Sequence, residues 1–117
     1  MTRKELDNHF RMVQRLHDAK ELYQHMCTKS SGSGFLAAEI EDLAVRIECL
    51  EKTVQRNASS IISFMETIHN TRIMSIFRLR YINGLAWCEI PGYIGKGVSI
   101  ASVKVACNRY LRERLTS

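Results

Sequence analysis

The sequence has little of what an all-β fold or a membrane protein requires. One proline and six glycines among 117 residues leave few turn formers for a series of short strands. The apolar residues form no run approaching the roughly 20 that a membrane-spanning helix needs. The opening residues, MTRKELDNHF, lack the apolar core of a signal peptide, so we expect a cytoplasmic protein with no membrane partner.

Clustered metal ligands and catalytic motifs are also absent from the sequence. The four cysteines, Cys27, Cys49, Cys88 and Cys107, form no CxxC pair, and the four histidines form no HxxxH pair. We therefore expect no metal or cofactor, and reduced thiols that are mostly buried as small apolar groups. Gly95-Lys96-Gly97 lacks P-loop spacing, and no nucleophile lies beside a base, so the sequence predicts no enzyme.

The first 69 residues are predicted to form a long, coiled-coil-like helical hairpin. A Thr2/Glu5 capping box precedes a first helix over residues 3–27, with its histidines on the surface or the flank. A Gly/Ser connector over 29–34 lets the chain reverse. The second helix, from Phe35 to about His69, repeats apolar residues at heptad spacing for more than four heptads, so we expect it to run unbroken through Asn57.

The apolar seam of the second helix predicts oligomerisation, because the first helix is too short to cover it. Asn57 interrupts this seam, either as a polar residue that sets the register or as a weak spot in an intramolecular hairpin. We expect a homodimer, and the residues that would form its contact are Ile40, Leu43, Ile47, Leu50 and Val54.

Positive charge is concentrated after residue 70. Residues 71–117 carry eight Lys and Arg against two acidic residues, whereas residues 30–70 carry a net charge of −3. The segment 70–117 predicts three short helices: one over 71–82 with its cap at Asn70–Thr71, one over 85–94, and one from a Ser99 cap to about Leu115. The expected fold is therefore all-α, with the hairpin followed by a helix-turn-helix domain.

One motif in this segment is specific enough to indicate a resemblance to known proteins. It consists of Arg80-Tyr81-Ile82-Asn83-Gly84-Leu85-Ala86-Trp87-Cys88-Glu89-Ile90, then Ile94-Gly95, Ser102-Val103 and Arg109-Tyr110-Leu111. It resembles small phage and prophage proteins of Gram-positive bacteria, similar to ArpU- and RinA-type transcriptional regulators, whose ending is like region 4 of sigma factors. The resemblance implies a DNA-binding transcriptional regulator in the cytoplasm of a bacterial host cell, with double-stranded DNA as partner. Host RNA polymerase or another host protein is a further candidate partner.

Two positions depart from the pattern of that family. Ala86 stands where relatives have Ser or Thr, so it cannot accept the capping bond. Pro91 lacks a backbone donor and clashes one turn back toward Trp87, so the helix over 85–94 should be short or kinked. Both departures bear on whether the last helix is still presented to DNA.

The last helix and the turn before it carry the predicted DNA contacts. The inward residues are expected to be Val103, Cys107, Tyr110 and Leu111, which leaves a small, polar first turn facing outward. The hydroxyls of Ser99 and Ser102 are suited to a phosphate or a base edge, and Lys104 and Asn108 can reach bases. The remaining cations, Lys96, Arg109 and Arg112, are suited to phosphates.

The other charged and aromatic residues of the segment leave alternatives. Arg78 and Arg80 add charge nearby, although Arg80 is alternatively a structural partner of Glu89. Tyr81 and Trp87 either stack on single-stranded bases or, as we expect, pack in the core. Two other functions remain open: a phage protein that binds and inhibits a host protein, and a small DNA-recognition subunit of a packaging motor. A dimer favours regulation, and a larger ring favours packaging.

Overall fold

The computed structural model describes residues 1–29, 34 and 36–115, and all regular elements in these ranges are helical. The expectation of an all-α fold is therefore confirmed for this part of the chain. The helices are α1 (Arg3–Lys29), α2 (Ala37–Glu66), α3 (Thr71–Phe77), which continues into a π-helical turn (Arg78–Ile82), α4 (Pro91–Ile94) and α5 (Ile100–Arg114). Residues 30–33 of the predicted 29–34 connector and the predicted helix start at Phe35 lie outside the described residues, and Lys29 is the last residue of α1. None of the described helices is long and apolar enough to cross a bilayer.

Helices α1 and α2 form an antiparallel pair. The capping box is confirmed, since the Thr2 N–H donates to Glu5 Oε2 and the Glu5 N–H donates to Thr2 Oγ1, each at 3.1 Å. Lys20 Nζ lies 3.2 Å from Glu51 Oε1 and joins the two helices near their middles. Helix α2 is continuous through Asn57, as predicted, but it ends at Glu66 rather than near His69.

The two ends of this hairpin are packed very differently. At the end near the connector, which we call the distal half (residues 15–29 and 37–54), Leu43 is the one apolar side chain that is buried among the described residues. Leu22 and Val45 are 52% and 61% exposed there. Two helices alone enclose little volume, so the distal half keeps much of its apolar surface in contact with solvent.

At its other end, the hairpin shares one hydrophobic core with the C-terminal helices. Phe77 lies at its centre, with its ring centroid 4.9 Å from that of Tyr81 and 5.5 Å from that of Phe64. The buried members of this core come from both ends of the chain: Leu6, Ile61, Ile68, Ile76, Phe77, Tyr81, Ile90, Val103, Cys107 and Leu111. Tyr81 is a core residue, as expected. The protein measures 53 × 32 × 19 Å, because only one end of the hairpin is thickened by the other helices.

Two expectations about individual side chains are wrong. His9 is 2% exposed, whereas the sequence placed it on the surface or flank of α1. Helix α1 has two packed faces, one toward α2 and one toward the π-helical turn, and His9 lies on the second. Three of the four cysteines are exposed, namely Cys27, Cys49 and Cys88, and only Cys107 is buried. The three exposed thiols lie off the packed stripes of the helices and turn that carry them.

Candidate nucleic-acid interface

Helix α5 is capped and anchored as the sequence predicts. Ser99 is its N-cap, and the Ser99 Oγ accepts a hydrogen bond of 3.0 Å from the Ser102 N–H. Val103, Cys107 and Leu111 recur every four residues and are at most 1% exposed, so one face of the helix is sealed into the core. Burial raises the pKa of the Cys107 thiol to about 11. The opposite face of α5 is held toward solvent.

The helix predicted over 85–94 is mostly absent, because helical structure is confined to Pro91–Ile94. Pro91 occupies the first helical position of α4, where its missing N–H removes no intrahelical hydrogen bond and no α-helical turn precedes its ring. The residues before it form a tight turn, in which the Glu89 N–H donates to the Ala86 carbonyl at 3.0 Å. Glu89 Oε1 also accepts from the Ala86 N–H at 3.0 Å. Half of a capping box therefore persists without a hydroxyl at position 86.

Arg80 fastens this turn to α1. Its guanidinium carbon lies 3.6 Å from the centroid of the Phe10 ring and 4.5 Å from that of Trp87. Its Nη1 donates to the Leu85 carbonyl at 3.2 Å. Arg80 is therefore held within the protein by two rings and a carbonyl, and it forms no ion pair with Glu89 in the described residues.

Gly84 brings α1 into contact with the same loop. Its φ of 72° is the left-handed conformation expected at Asn83-Gly84, and the Gln14 side chain donates a hydrogen bond to its carbonyl. A Cβ atom at this position would lie 2.6 Å from Val13 Cγ1. The loop that precedes α4 is thus held against the N-terminal helix by the close approach of the Gly84 backbone to Val13.

The outward face of α5 presents most of the predicted contact residues. Ser102, Lys104, Arg109 and Arg112 are exposed, and Lys96 is exposed in the turn before the helix. Asn108 is half-buried, and its Oδ1 accepts a hydrogen bond of 2.7 Å from Arg3 Nη2. The Asn108 carbonyl is therefore engaged within the protein, on the same flank of α5 as Lys104. Ser99 is exposed, but its oxygen already serves the cap.

The cations of the C-terminal segment have no acidic partner among the described residues. Of the eight Lys and Arg residues after residue 70, none forms an ion pair with a described carboxylate. Arg80 and Arg114 nevertheless have structural roles, since Arg114 Nη2 donates to Thr67 Oγ1 at 2.8 Å. The other six, which we call the open cations, are exposed and are Arg72, Arg78, Lys96, Lys104, Arg109 and Arg112.

Several surface residues of this segment were not among the predicted DNA contacts. Val105 is 54% exposed on the outward face of α5, and Ile100, at the start of the helix, is 47% exposed, so the surface of α5 is partly apolar. Arg72 and Arg78 line a groove together with Lys96 and with Tyr93, which is 70% exposed. No local pattern identified this set, because α3 and the α4–α5 turn are brought together only by folding.

Nothing in the described residues gathers three or more His, Cys, Asp or Glu side chains into a potential metal site. No protein-family model, curated protein or solved structure matches this chain. The resemblance to phage and prophage regulators therefore stays a prediction from the motif.

Proposed function

We propose that this protein binds duplex DNA through the outward face of α5 and acts as a phage or prophage regulator of transcription. The observation that carries this proposal is the set of six open cations on one end of the molecule. Like charges that lack partners repel one another, and a polyanion relieves that repulsion. Duplex DNA is such a polyanion, and it releases counterions when Lys and Arg neutralise its phosphates.

The dimensions and surface of α5 suit a DNA groove. Its 15 residues extend about 22 Å, and the side chains that hold it are all on one face. Ala101 and Ser102 keep the exposed first turn small, so the backbone can approach base edges closely. Val105, one turn further along, can contact a thymine methyl group, and Lys104 can reach a base acceptor from the flank.

The proposal includes a homodimer formed through the distal half of the hairpin. A groove there is lined by Ala19, Leu22, Leu43 and Leu50, and its edges carry Arg15, Asp18 and Arg46. A second copy suits this groove because edges of mixed sign are self-complementary about a two-fold axis. The opposite net charges of residues 1–29 and 30–70, +2 and −3, also favour packing α1 of one copy against α2 of the other.

Fluorescence anisotropy with the full chain tests DNA binding. The probes are duplexes from the DNA that flanks its gene and one unrelated duplex, titrated at increasing salt. We expect affinity to fall with salt, with a slope of roughly −0.9 per phosphate contact. Lys104→Ala should reduce the preference for the best duplex by about 1–3 kcal/mol if Lys104 contacts a base. Arg56→Ala, at an exposed position on α2, is the matched control.

Sedimentation tests the dimer. We expect a species of twice the 13.5 kDa chain mass. Leu22→Glu should yield a folded monomer, because Leu22 is already 52% exposed within one chain. Ile62→Glu, at a position 39% exposed outside the distal half, should leave the dimer intact. A larger ring would instead support the packaging-subunit alternative.

A second function, binding and inhibiting a host protein, is favoured by one observation. The exposed Ile100, Val105 and Tyr93 place apolar surface among the open cations, and such a mixture is typical of protein interfaces. The anisotropy experiment separates the two functions. If no duplex binds even at low salt, DNA binding is excluded and the protein-binding function becomes the leading hypothesis.

A further inference from the structure

A groove separates α3 from the turn that joins α4 to α5. Three of the open cations, Arg72, Arg78 and Lys96, line it from two sides. Thr71, Ser75 and Tyr93, each of which carries a hydroxyl group, belong to the same lining. No carboxylate is part of this lining in the described residues, although acidic side chains make up 12 of the 117 residues.

The chemistry of this groove is that of an oxyanion site. Three cations that share a groove without a counter-charge repel one another, so a bound anion is stabilised there. Hydroxyl groups beside the cations can donate hydrogen bonds to anionic oxygens. Metal ions and apolar ligands accept no such hydrogen bonds, so this combination of groups favours an oxyanion. All three cations are exposed, so a large ligand can reach them without any rearrangement of the fold.

We infer that this groove binds phosphate groups of the DNA backbone beside the duplex that α5 contacts. Lys96 belongs to the groove and lies three residues before the Ser99 cap of α5, so the groove adjoins the N-terminal end of that helix. One duplex can therefore neutralise both groups of open cations, whereas an acidic peptide in the groove would leave those of α5 without partners. This inference rests on the proposed function, and it assigns Arg72 and Arg78 as contacts that position the duplex without reading its sequence.

The test is the salt dependence of duplex binding by single variants of the full chain. Arg72→Ala and Arg78→Ala should each make the slope shallower by roughly 0.9, on the best duplex and on an unrelated one alike. The affinity lost between about 50 and 200 mM salt then becomes about 3.5-fold smaller for each cation removed. Arg72→Lys keeps the charge and should keep the slope, and Arg56→Ala is the control outside the groove. Thermal melting of each variant shows that it is folded, as expected for exposed positions.

The outcomes distinguish this inference from the proposed function. If the wild type binds duplex DNA and Lys104→Ala weakens it, but Arg72→Ala and Arg78→Ala leave the slope unchanged, the groove assignment is wrong and the proposed function stands. A loss confined to one duplex sequence, or an equal loss in Arg72→Lys, also overturns the assignment, because phosphate contacts depend on charge and not on sequence. If the wild type binds no duplex at low salt, the proposed function itself fails and the groove assignment fails with it.

Discussion

Replacing Gly84 with alanine should destabilise this protein severely, because two independent costs coincide at that residue. Its φ of 72° is a conformation that L-residues avoid, at about 1–2 kcal/mol. The new Cβ would also lie 2.6 Å from Val13 Cγ1, a side chain that is 5% exposed and β-branched, so it has little freedom to move. Overpacking of this kind costs about 1–3 kcal/mol. The sum, about 2–5 kcal/mol, is a large part of the 5–15 kcal/mol that stabilises a typical domain.

Two other glycines separate these costs. Gly97 has a φ of 77° but open space around its Cα, so Gly97→Ala should lose only about 1–2 kcal/mol. Gly92 lies in α4 with neither a left-handed φ nor a neighbour within 4 Å of a new Cβ. Gly92→Ala should therefore be neutral, or stabilising by up to about 1 kcal/mol. Urea unfolding followed by far-UV circular dichroism measures all three variants.

A double variant identifies the contact directly. Val13→Ala removes Cγ1, so Gly84→Ala combined with Val13→Ala should be less destabilised than the sum of the two single changes, by about 1–3 kcal/mol. Strict additivity would show that the close approach of α1 to this loop is not the source of the cost. Equal losses at Gly84 and Gly97 would refute the packing argument, because both residues share the same backbone conformation.

Two further predictions concern buried titratable groups. Burial lowers the pKa of His9 below 6.5, so the unfolded chain binds a proton that the folded chain excludes. The free energy of unfolding should therefore fall as the pH drops below 6.5, and His9→Leu should flatten this dependence in urea titrations over about pH 5 to 8. The thiol of Cys107, with its pKa raised to about 11 by burial, should react with DTNB only after denaturant is added, whereas the exposed Cys88 reacts at once. A rapid phase that disappears in Cys107→Ser would contradict that burial.

Helices with local signals at their ends could be predicted from the sequence alone. The Thr2/Glu5 box and the caps at Asn70 and Ser99 each join residues three apart, so neighbouring side chains are enough to specify them. The heptad spacing was likewise enough to predict a helix that continues through Asn57. Pro91 shows the limit of such reasoning: the sequence predicted its effect on a helix interior, and the chain instead begins the helix at that residue.

Which faces of those helices are packed depends on tertiary contacts that the sequence pattern does not specify. Periodicity identifies one apolar stripe on a helix, but α1 packs on a second face as well, and His9 is buried there against residues more than 70 positions later in the chain. The placement of Arg80 between Phe10 and Trp87 depends on the same long-range contact. The sequence showed that positive charge is concentrated after residue 70. It did not show that these cations are divided between α5 and the groove beside Tyr93. Hydrogen bonds within a helix connect near neighbours, whereas the burial of a side chain depends on segments that only the folded chain brings together.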